Sequence, residues 1–597
     1  MPNRLLRRDY LWVTGVMFFL TAFMTFPLIF RLFRCIPGFL STDEPYGLLW
    51  YWWWLKFSFL NHLNPFHTTF LAAPQGIAMP LSIYPLWTLF NFAVNFLANE
   101  SFTYNLQVIA SFILSGFFMY RLAHYITRNK PAALLAGIFY AFCPYHFMRS
   151  WQHLGLAQIQ FIPLYLLLLL RLRDNPCRKN LLLASLGLFL VSCFDFYYFY
   201  FMVICTGIFL LFIILRDTRA LKWKSGGYVL LALFLGGLVS CLPLLPSRKT
   251  VVTGYRQDKT SAWSMKKPFD DLFAQSARPL SYFLPATVHP VFGGFTENFA
   301  GTSLYGVSLT EHTLYLGWIP LILAIFAVKK RKKIFRAGGG GEVADNFHPR
   351  FFIFLALISW LFSQPPWWEI GSFKILMPSF FMYKIFPMFR AYCRFGIVVM
   401  LAVAVLAACA VPLILGRLRS NRTRITLVVL IAALCLFEFW SWPPQKIIDT
   451  SRVPEVYYWL KGKPSEVVIA EYPLDLDSPG ELYKFYQTVH NKKMINASVP
   501  GSPVNLQARK IVNLSEPQTA QILRQMGVKY VLVHFDGYLG SGLLQDQREL
   551  EKIRRNPKLS FVRKFAPESC SPKESMCTRK SSEIEVWEIK DLPQQKE

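Results

Sequence analysis

Carboxylate and guanidinium side chains stand in pairs beside the apolar stretches of this chain. Asp43 and Glu44 follow the first apolar run, in the order Ser-Thr-Asp-Glu-Pro-Tyr, and Arg390 and Arg394 precede a later run. A carboxylate can take a proton as a general base, and arginines can hold a phosphate through parallel hydrogen bonds. These residue types suit a group transfer in which a hydroxyl attacks and a phosphate leaves.

Further polar residues occupy the same kind of boundary and form a candidate substrate pocket: Gln152, His153, Asp195, Glu311 and His312. Each also has an ordinary structural interpretation. The aspartates can cap helices, the histidines can lie at a bilayer interface, and the arginines can extend to lipid phosphates. Charges beside membrane spans are costly and often mark function, so the set as a whole predicts a polar cleft at the lipid boundary.

The composition shows which elements must position these residues. Of 597 residues, 54% are hydrophobic and 16% are charged, whereas soluble proteins carry about 25% charged residues. The apolar residues form repeated runs of about 20, the length that crosses a bilayer. The net charge of +28 comes from short basic clusters between these runs, which is typical of orientation signals rather than a nucleic-acid surface. We therefore predict a polytopic α-helical membrane protein and no nucleic-acid partner.

The basic clusters predict the topology. Pro80 directly precedes the run at 81–98, and the run itself contains Pro85, Asn91 and Asn95. We therefore place it along the outer interface rather than across the membrane. All clusters then face the cytoplasm. This arrangement predicts about eleven spans in a cell (inner, cytoplasmic) membrane, with the N-terminus inside and the C-terminus outside.

The predicted topology divides the chain into two domains. Residues 1–442 form the transmembrane domain, with large outer loops at 31–100 and 246–312. Residues 443–597 have an ordinary soluble composition and alternate strand and helix patterns, which predicts a small extracytoplasmic α/β domain. Cys570 and Cys577 are the cysteines of this domain, and in an oxidising compartment they can form a disulfide or stay as free thiols.

Several short segments give the chain a family resemblance. They are Asp43-Glu44, Asn64–Phe66, Ala73–Gly76, Ala132–Tyr145, Gln152-His153, the segment beginning Glu311-His312, Phe389–Phe395, Val468–Pro473 and Gly527–His534. In these segments the chain resembles the multispanning GT-C glycosyltransferases, among them protein O-mannosyltransferases and the lipid A aminoarabinose transferase. It looks most similar to YfhO-like proteins and to bacterial membrane proteins labelled "6-pyruvoyl-tetrahydropterin synthase-related".

The resemblance implies transfer of a hexosyl or pentosyl group, outside the cytoplasm, from a polyprenyl-phosphate donor to a glycan, lipid or protein. It assigns the base to Asp43, with Glu44 beside it. Family members often have a second acidic residue in the second outer loop, where this chain has Gln152 and His153. No cofactor is required by these motifs, and a divalent metal stays an open question. The assignment of Arg390 and Arg394 to the donor phosphate rests on their charge and position.

Two other functions fit the composition. A lipid or glycan flippase or transporter is one, although internal repeats are typical of transporters and none is evident here. A non-catalytic protein of envelope assembly, with the C-terminal domain as its binding module, is the other.

Reporter fusions test the predicted topology. A reporter joined at Ser247 or at Thr450 is expected on the outer side of the membrane, because both positions follow an outward-directed span. Cytoplasmic activity of either fusion would contradict the assignment.

Overall fold

The computed structural model describes most of the chain. The described residues are 2–38, 43–79, 84–217, 219–242, 266–330, 347–440, 447–474, 480–497, 508–539, 544–566 and 583–590. They group into two compact units. The first unit comprises 1–30, 105–243 and 264–446, and the second comprises 31–104, 244–263 and 447–597.

The first unit is almost entirely helical. Its helices are Pro2–Met24, Glu100–Thr127 (from residue 105), Lys130–Ala141, Pro144–Gln152, Phe161–Asp174, Arg178–Ser192, Phe196–Arg216, Arg219–Cys241, Asp271–Ala274, Gly293–Glu297, Leu309–His312, Trp318–Lys329, Phe347–Ser363, Pro378–Ile385, Gly396–Leu415 and Asn421–Glu438. One hairpin joins Trp367–Ile370 to Phe373–Leu376. The chain therefore has the helical architecture that its apolar runs predict.

By length and composition alone, the described part of the chain contains fewer candidate spans than the eleven predicted. Four helices in the described part are long and apolar enough to cross a bilayer: Glu100–Thr127, Phe196–Arg216, Trp223–Cys241 and Tyr392–Leu415. The pair Lys130–Ala141 and Pro144–Gln152, bent by 41°, makes a fifth if it counts as one span. The other apolar helices are shorter, so the count of eleven stays a prediction.

The helix Gly396–Leu415 is the centre of the first unit. Nearly all of its residues are buried, and it packs against Lys130–Ala141, Trp318–Lys329 and Phe347–Ser363. A helix that is apolar on all faces can face either protein or lipid, and here other helices cover it. Side chains that immediately precede this helix are therefore held by the best-packed element of the unit.

Connectors assigned to one membrane side meet in an ionic cluster. Arg173 donates to Asp217 through Nη2 and Nε, at 2.6 and 3.1 Å, and to Asp174 at 3.0 Å. Tyr125 donates to Asp174 at 2.5 Å, and the His348 ring lies 3.1 Å from the same carboxylate. These five residues come from four connectors that the charge pattern places together, so the connectors do share one side of the unit.

The second unit contains a mixed five-stranded sheet. Its strands, in spatial order, are Leu559–Phe565, Ile584–Ile589, Val528–His534, Val468–Tyr472 and Lys493–Met494. The last three run parallel and the first two join antiparallel. The C-terminal helices of this unit are Glu455–Lys461, Glu481–His490, Pro517–Gln525, Phe535–Leu539 and Leu544–Arg554. Gly527 closes one helix at a φ of +80°, where glycine avoids the steric cost of a side chain.

The first outer loop belongs to this second unit. Its helices are Asp43–Leu60 and Pro85–Leu97, and its short strands are Cys35–Pro37, His67–Thr68 and Ile77–Ala78. Cys35–Pro37 pairs antiparallel with Ile447–Asp449, and the Trp50 indole donates to Gln487 Oε1 at 2.9 Å. We expected the loop within the transmembrane domain, whereas these contacts group it with the C-terminal residues. The boundary at 442/443 stays a prediction, and Cys570 and Cys577 lie outside the described residues.

Removing Arg173 tests the ionic cluster. Arg173→Met leaves the buried carboxylate of Asp217 without its main partner, and the side chains of the two are 6% and 1% exposed. We expect a loss of roughly 3–5 kcal/mol in the free energy of unfolding, measured by detergent-induced unfolding of the full chain. The control Lys130→Met breaks the exposed pair with Asp9 and is expected to cost at most about 1 kcal/mol. Equal costs would contradict the cluster's structural role.

Candidate functional site

A buried carboxylate in the first unit holds two guanidinium groups. Arg149 donates to both carboxylate oxygens of Glu311, at 3.0 and 2.6 Å. Arg394 also donates to both, at 2.6 Å from Nη2 and at 3.2 and 3.3 Å from Nε. The three residues are 0%, 6% and 9% exposed for Arg149, Glu311 and Arg394. Three charges are thus desolvated together, with one more positive than negative.

Each member comes from a well-defined local structure. Arg149 lies on the helix Pro144–Gln152, which begins at a proline directly after a bend. Arg394 lies in a 3-10 turn that leads into the central helix Gly396–Leu415. Glu311 lies on a single helical turn whose first residue is preceded by Ser308, and the Ser308 hydroxyl accepts from the Glu311 backbone at 3.2 Å.

His312 fixes the turn that carries Glu311. Its Nε2 lies 3.1 Å from the Ser276 carbonyl, and its Nδ1 lies 3.1 Å from the Ser308 backbone nitrogen. A neutral ring that donates from Nε2 and accepts at Nδ1 satisfies both contacts, and burial lowers its pKa. Gly306 makes room for the ring: at a φ of +95°, a Cβ there would lie 2.5 Å from it. The contacts are those of a positioning residue.

The two arginines keep Glu311 ionised. Burial by itself would raise the pKa of this carboxyl group, but the guanidinium groups of Arg149 and Arg394 outweigh burial and hold the pKa well below its usual range. Proton transfer at neutral pH needs a group whose pKa lies near the working pH. A carboxylate held in this way is suited to be a fixed negative charge rather than a general base.

Arg390 forms a second ion pair beside the first. Its Nη1 donates to Asp271 Oδ2 at 2.5 Å, and its side chain is 36% exposed. Tyr197 connects the two sites: its hydroxyl accepts from the Arg390 backbone at 3.3 Å, and the guanidinium carbon of Arg394 lies 4.4 Å from its ring centroid. We call Arg149, Arg390 and Arg394 with Glu311 and Asp271 the arginine cluster.

The charge of the arginine cluster defines what it can bind. Three guanidinium groups face two carboxylates, so one positive charge is left over. The Nε atom of Arg149 is buried and finds no hydrogen-bond partner among the described residues. Because a buried cation without a counter-charge is costly, the cluster is suited to an anion. A phosphate offers the oxygen acceptors that guanidinium groups prefer.

The other predicted site residues lie in different local environments. Asp195 caps the helix Phe196–Arg216, because its carboxylate accepts a hydrogen bond from the Tyr197 backbone at 2.7 Å. It therefore has the helix-capping role that the sequence allowed. Gln152 and His153 are half-buried at the end of the Arg149 helix, and Gln152 Oε1 is buried without a partner in the part of the chain described.

The predicted base lies in the second unit. Asp43 is the first residue of the helix Asp43–Leu60, and its side chain lies outside the described residues. Glu44 is exposed. The assignment of these carboxylates to catalysis therefore stays a prediction.

Arg149 is the member of the arginine cluster that the sequence analysis does not single out. The signal was present, because Arg149 is the sole charged residue between Lys130 and Arg171. An isolated charge in such an apolar stretch needs a buried partner, but the partner is 162 positions away and no local pattern names it.

The described residues include no group of three or more histidine, cysteine, aspartate or glutamate side chains placed to hold a metal ion.

Comparison with sequence families identifies the family of this chain. Residues 48–439 match the model of a domain of unknown function, DUF6311. The chain belongs to the DUF6311 family. No curated protein sequence matches it.

Solved structures show which fold this DUF6311 chain adopts. The arabinofuranosyltransferase AftD from Mycobacteria matches 98% of the chain at 15% identity and a TM-score of 0.54, and the chain spans 40% of the length of AftD. The Archaeoglobus fulgidus oligosaccharyltransferase matches 94% of this chain, with 73% of its own chain covered, at 11% identity and a TM-score of 0.48. ArnT from Cupriavidus metallidurans bound to undecaprenyl phosphate is matched over 97% of both chains at 12% identity and 0.45.

The predicted GT-C resemblance is confirmed at the level of the fold. The fold assignment rests on AftD, because the TM-scores of the other two are below 0.5. The DUF6311 chain has a GT-C-like fold. At this identity, the likeness extends to the fold and not to the substrate.

Substitutions at Glu311 and Arg149 test the ion pairing. Glu311→Gln leaves two like charges buried side by side, whereas Arg149→Met leaves the neutral pair of Glu311 and Arg394. We expect Glu311→Gln to cost roughly 3–5 kcal/mol of stability and Arg149→Met clearly less. Thermal unfolding of the purified full chain in detergent measures both, and a larger loss for Arg149→Met would contradict the charge balance described.

Proposed function

We propose that this protein is a membrane glycosyltransferase that moves a hexosyl or pentosyl group from a polyprenyl-phosphate donor to an extracytoplasmic glycan, lipid or protein. Two observations support the proposal. The fold is GT-C-like, and the arginine cluster presents an excess positive charge beside a bilayer-spanning helix.

The donor phosphate would bind to Arg390 and Arg394. Arg394 is held rigidly by Glu311 on one edge of its guanidinium group, through Nε and Nη2, which leaves Nη1 for a ligand. Arg390 uses Nη1 for Asp271 and is more exposed. Carboxylates that fix arginines in place lower the cost of ordering them when a phosphate binds. Arg149 adds positive charge behind this site.

The reaction would proceed by a single displacement. A carboxylate, assigned to Asp43 with Glu44 as its neighbour, takes the proton of the acceptor hydroxyl. The hydroxyl oxygen forms a bond to the anomeric carbon while the bond from that carbon to the phosphate oxygen breaks. The electron pair of the broken bond leaves with the polyprenyl phosphate, whose growing negative charge the arginines offset. Configuration at the anomeric carbon is inverted.

The buried Arg149–Glu311–Arg394 group is the observation that carries the proposal. Transporters are typically built from internal repeats around a site near the bilayer midplane, and no internal repeat is evident in this sequence. Here the carboxylate and guanidinium groups are locked by paired hydrogen bonds. A fixed electrostatic site is what group transfer with a phosphate leaving group requires.

Conservative substitutions test the proposed chemistry. Arg394→Lys keeps one charge but loses the bidentate geometry, and Asp43→Asn keeps the size but loses the base. We expect each to reduce glycan transfer about 100-fold or more with normal protein levels in the membrane. The measurement is the surface glycan profile of a deletion strain complemented with each variant.

Two controls make the result interpretable. Arg424→Lys changes an arginine that bonds to the Leu418 carbonyl in a predicted cytoplasmic connector and is expected to leave transfer intact. Glu44→Gln distinguishes the two neighbouring carboxylates, because a loss of transfer in Glu44→Gln with full transfer in Asp43→Asn would assign the base to Glu44. Full glycan in Arg394→Lys would refute the phosphate site, and full glycan in both Asp43→Asn and Glu44→Gln would refute the base.

A further inference from the structure

A second basic feature lies in the first unit, apart from the ion pairs described above. Lys266, Lys267, Pro268, Phe269, Tyr383 and Lys384 surround a pocket of about 530 Å³. We call it the lysine pocket. Three of these lining residues are cationic and none is acidic. Lys267 and Lys384 are exposed, and neither forms an ion pair with a described residue.

The backbone around the lysine pocket is well anchored. The Lys267 backbone nitrogen donates to the Pro387 carbonyl at 2.9 Å, and the Tyr383 hydroxyl donates to the Lys267 carbonyl. Phe269 packs between Trp367, at 5.7 Å, and Tyr383, at 5.4 Å between ring centroids. These contacts hold two distant segments together, so the lysines meet at a defined place rather than by chance on mobile chains.

Apolar side chains surround the lysines on the exposed surface. Phe381 and Ile385 lie one turn apart on the helix Pro378–Ile385 and are 51% and 68% exposed, and Lys384 is on the same helix. Phe373, on the neighbouring hairpin, is 77% exposed. Exposed apolar groups beside basic ones are typical of surfaces that enter the bilayer interface, with the basic groups at the level of the lipid phosphates.

The topology does not account for these lysines. Basic residues are expected in cytoplasmic connectors, whereas the segments with Lys266, Lys267 and Lys384 are assigned to outer loops. Their charge therefore needs a local explanation. Lipid phosphate supplies the matching negative charge at the depth where the apolar side chains would place the pocket.

We infer that the lysine pocket binds the phosphate headgroup of an anionic phospholipid in the outer leaflet, through Lys267 and Lys384. The lipid chains lie against the exposed apolar residues, and the headgroup enters the pocket between the two ammonium groups. The site uses different side chains from the arginine cluster and needs no sugar donor, so its test does not depend on the proposed transferase activity.

Lipid titrations of the full-length protein in mild detergent test the inference. The probes are short-chain phosphatidylglycerol, short-chain phosphatidylcholine and sodium phosphate, and binding is followed by native mass spectrometry and by the thermal midpoint. The double variant Lys267→Gln/Lys384→Gln is expected to bind phosphatidylglycerol about tenfold more weakly or worse, because each lysine near an anionic lipid contributes about fivefold. The double variant Lys267→Arg/Lys384→Arg is expected to bind normally.

A matched control uses lysines elsewhere on the unit. Lys329→Gln/Lys330→Gln removes the same charge from exposed positions at the end of the helix Trp318–Lys329 and is expected to leave binding unchanged. Unchanged affinity in Lys267→Gln/Lys384→Gln would overturn the inference, as would an equal loss in the control. Competition by sodium phosphate or phosphatidylcholine as strong as that of phosphatidylglycerol would also overturn it, since the site would then not select an anionic lipid.

Discussion

Desolvation of charge is the constraint on which the first unit depends. Two guanidinium groups and one carboxylate are almost fully removed from water at Arg149, Arg394 and Glu311. Such a group is stable only with near-ideal hydrogen bonds, and here each arginine reaches both oxygens of the same carboxylate. The helix that carries Arg149, the capped turn that carries Glu311 and the start of the central helix must therefore keep their relative positions. Rigidity at this point follows from electrostatics rather than from apolar packing alone.

Rigid charge also explains how one fold can serve transfer chemistry. In the proposed reaction, a phosphate that arrives at Arg390 and Arg394 would meet groups already oriented by Asp271 and Glu311, so little reorganisation would be needed as charge develops on the leaving group. Tyr197, which contacts both arginines, keeps them in register. In the proposed reaction Glu311 and Asp271 hold the arginines in place, and the proton acceptor is assigned to Asp43.

Much of the fold could be read from the sequence because its signals are local. The repeated apolar runs predict the helices of the first unit, and the alternating patterns after residue 443 predict strands and helices there, because periodicity and turn residues act over a few positions. The site was harder. Glu311 was placed in a polar pocket, but its role as counter-ion depends on partners 83 and 162 positions away. Asp195 has the residue type of a site and the contacts of a helix cap. The grouping of the first outer loop with the second unit also depends on a long-range contact, the pairing of Cys35–Pro37 with Ile447–Asp449, which no local sequence pattern predicts.

The discontinuous second unit has a consequence for biogenesis. Residues 31–104 leave the ribosome early, but the strand and helix on which they pack, Ile447–Asp449 and Glu481–His490, are synthesised several hundred residues later. Until then the loop's large aromatic side chains, Trp50 among them, have no permanent cover. Since domains whose contacts are distant in sequence fold late and expose apolar surface meanwhile, the loop must await completion of translation. Truncated products would therefore carry an unfolded loop with exposed aromatic side chains, which membrane quality control recognises.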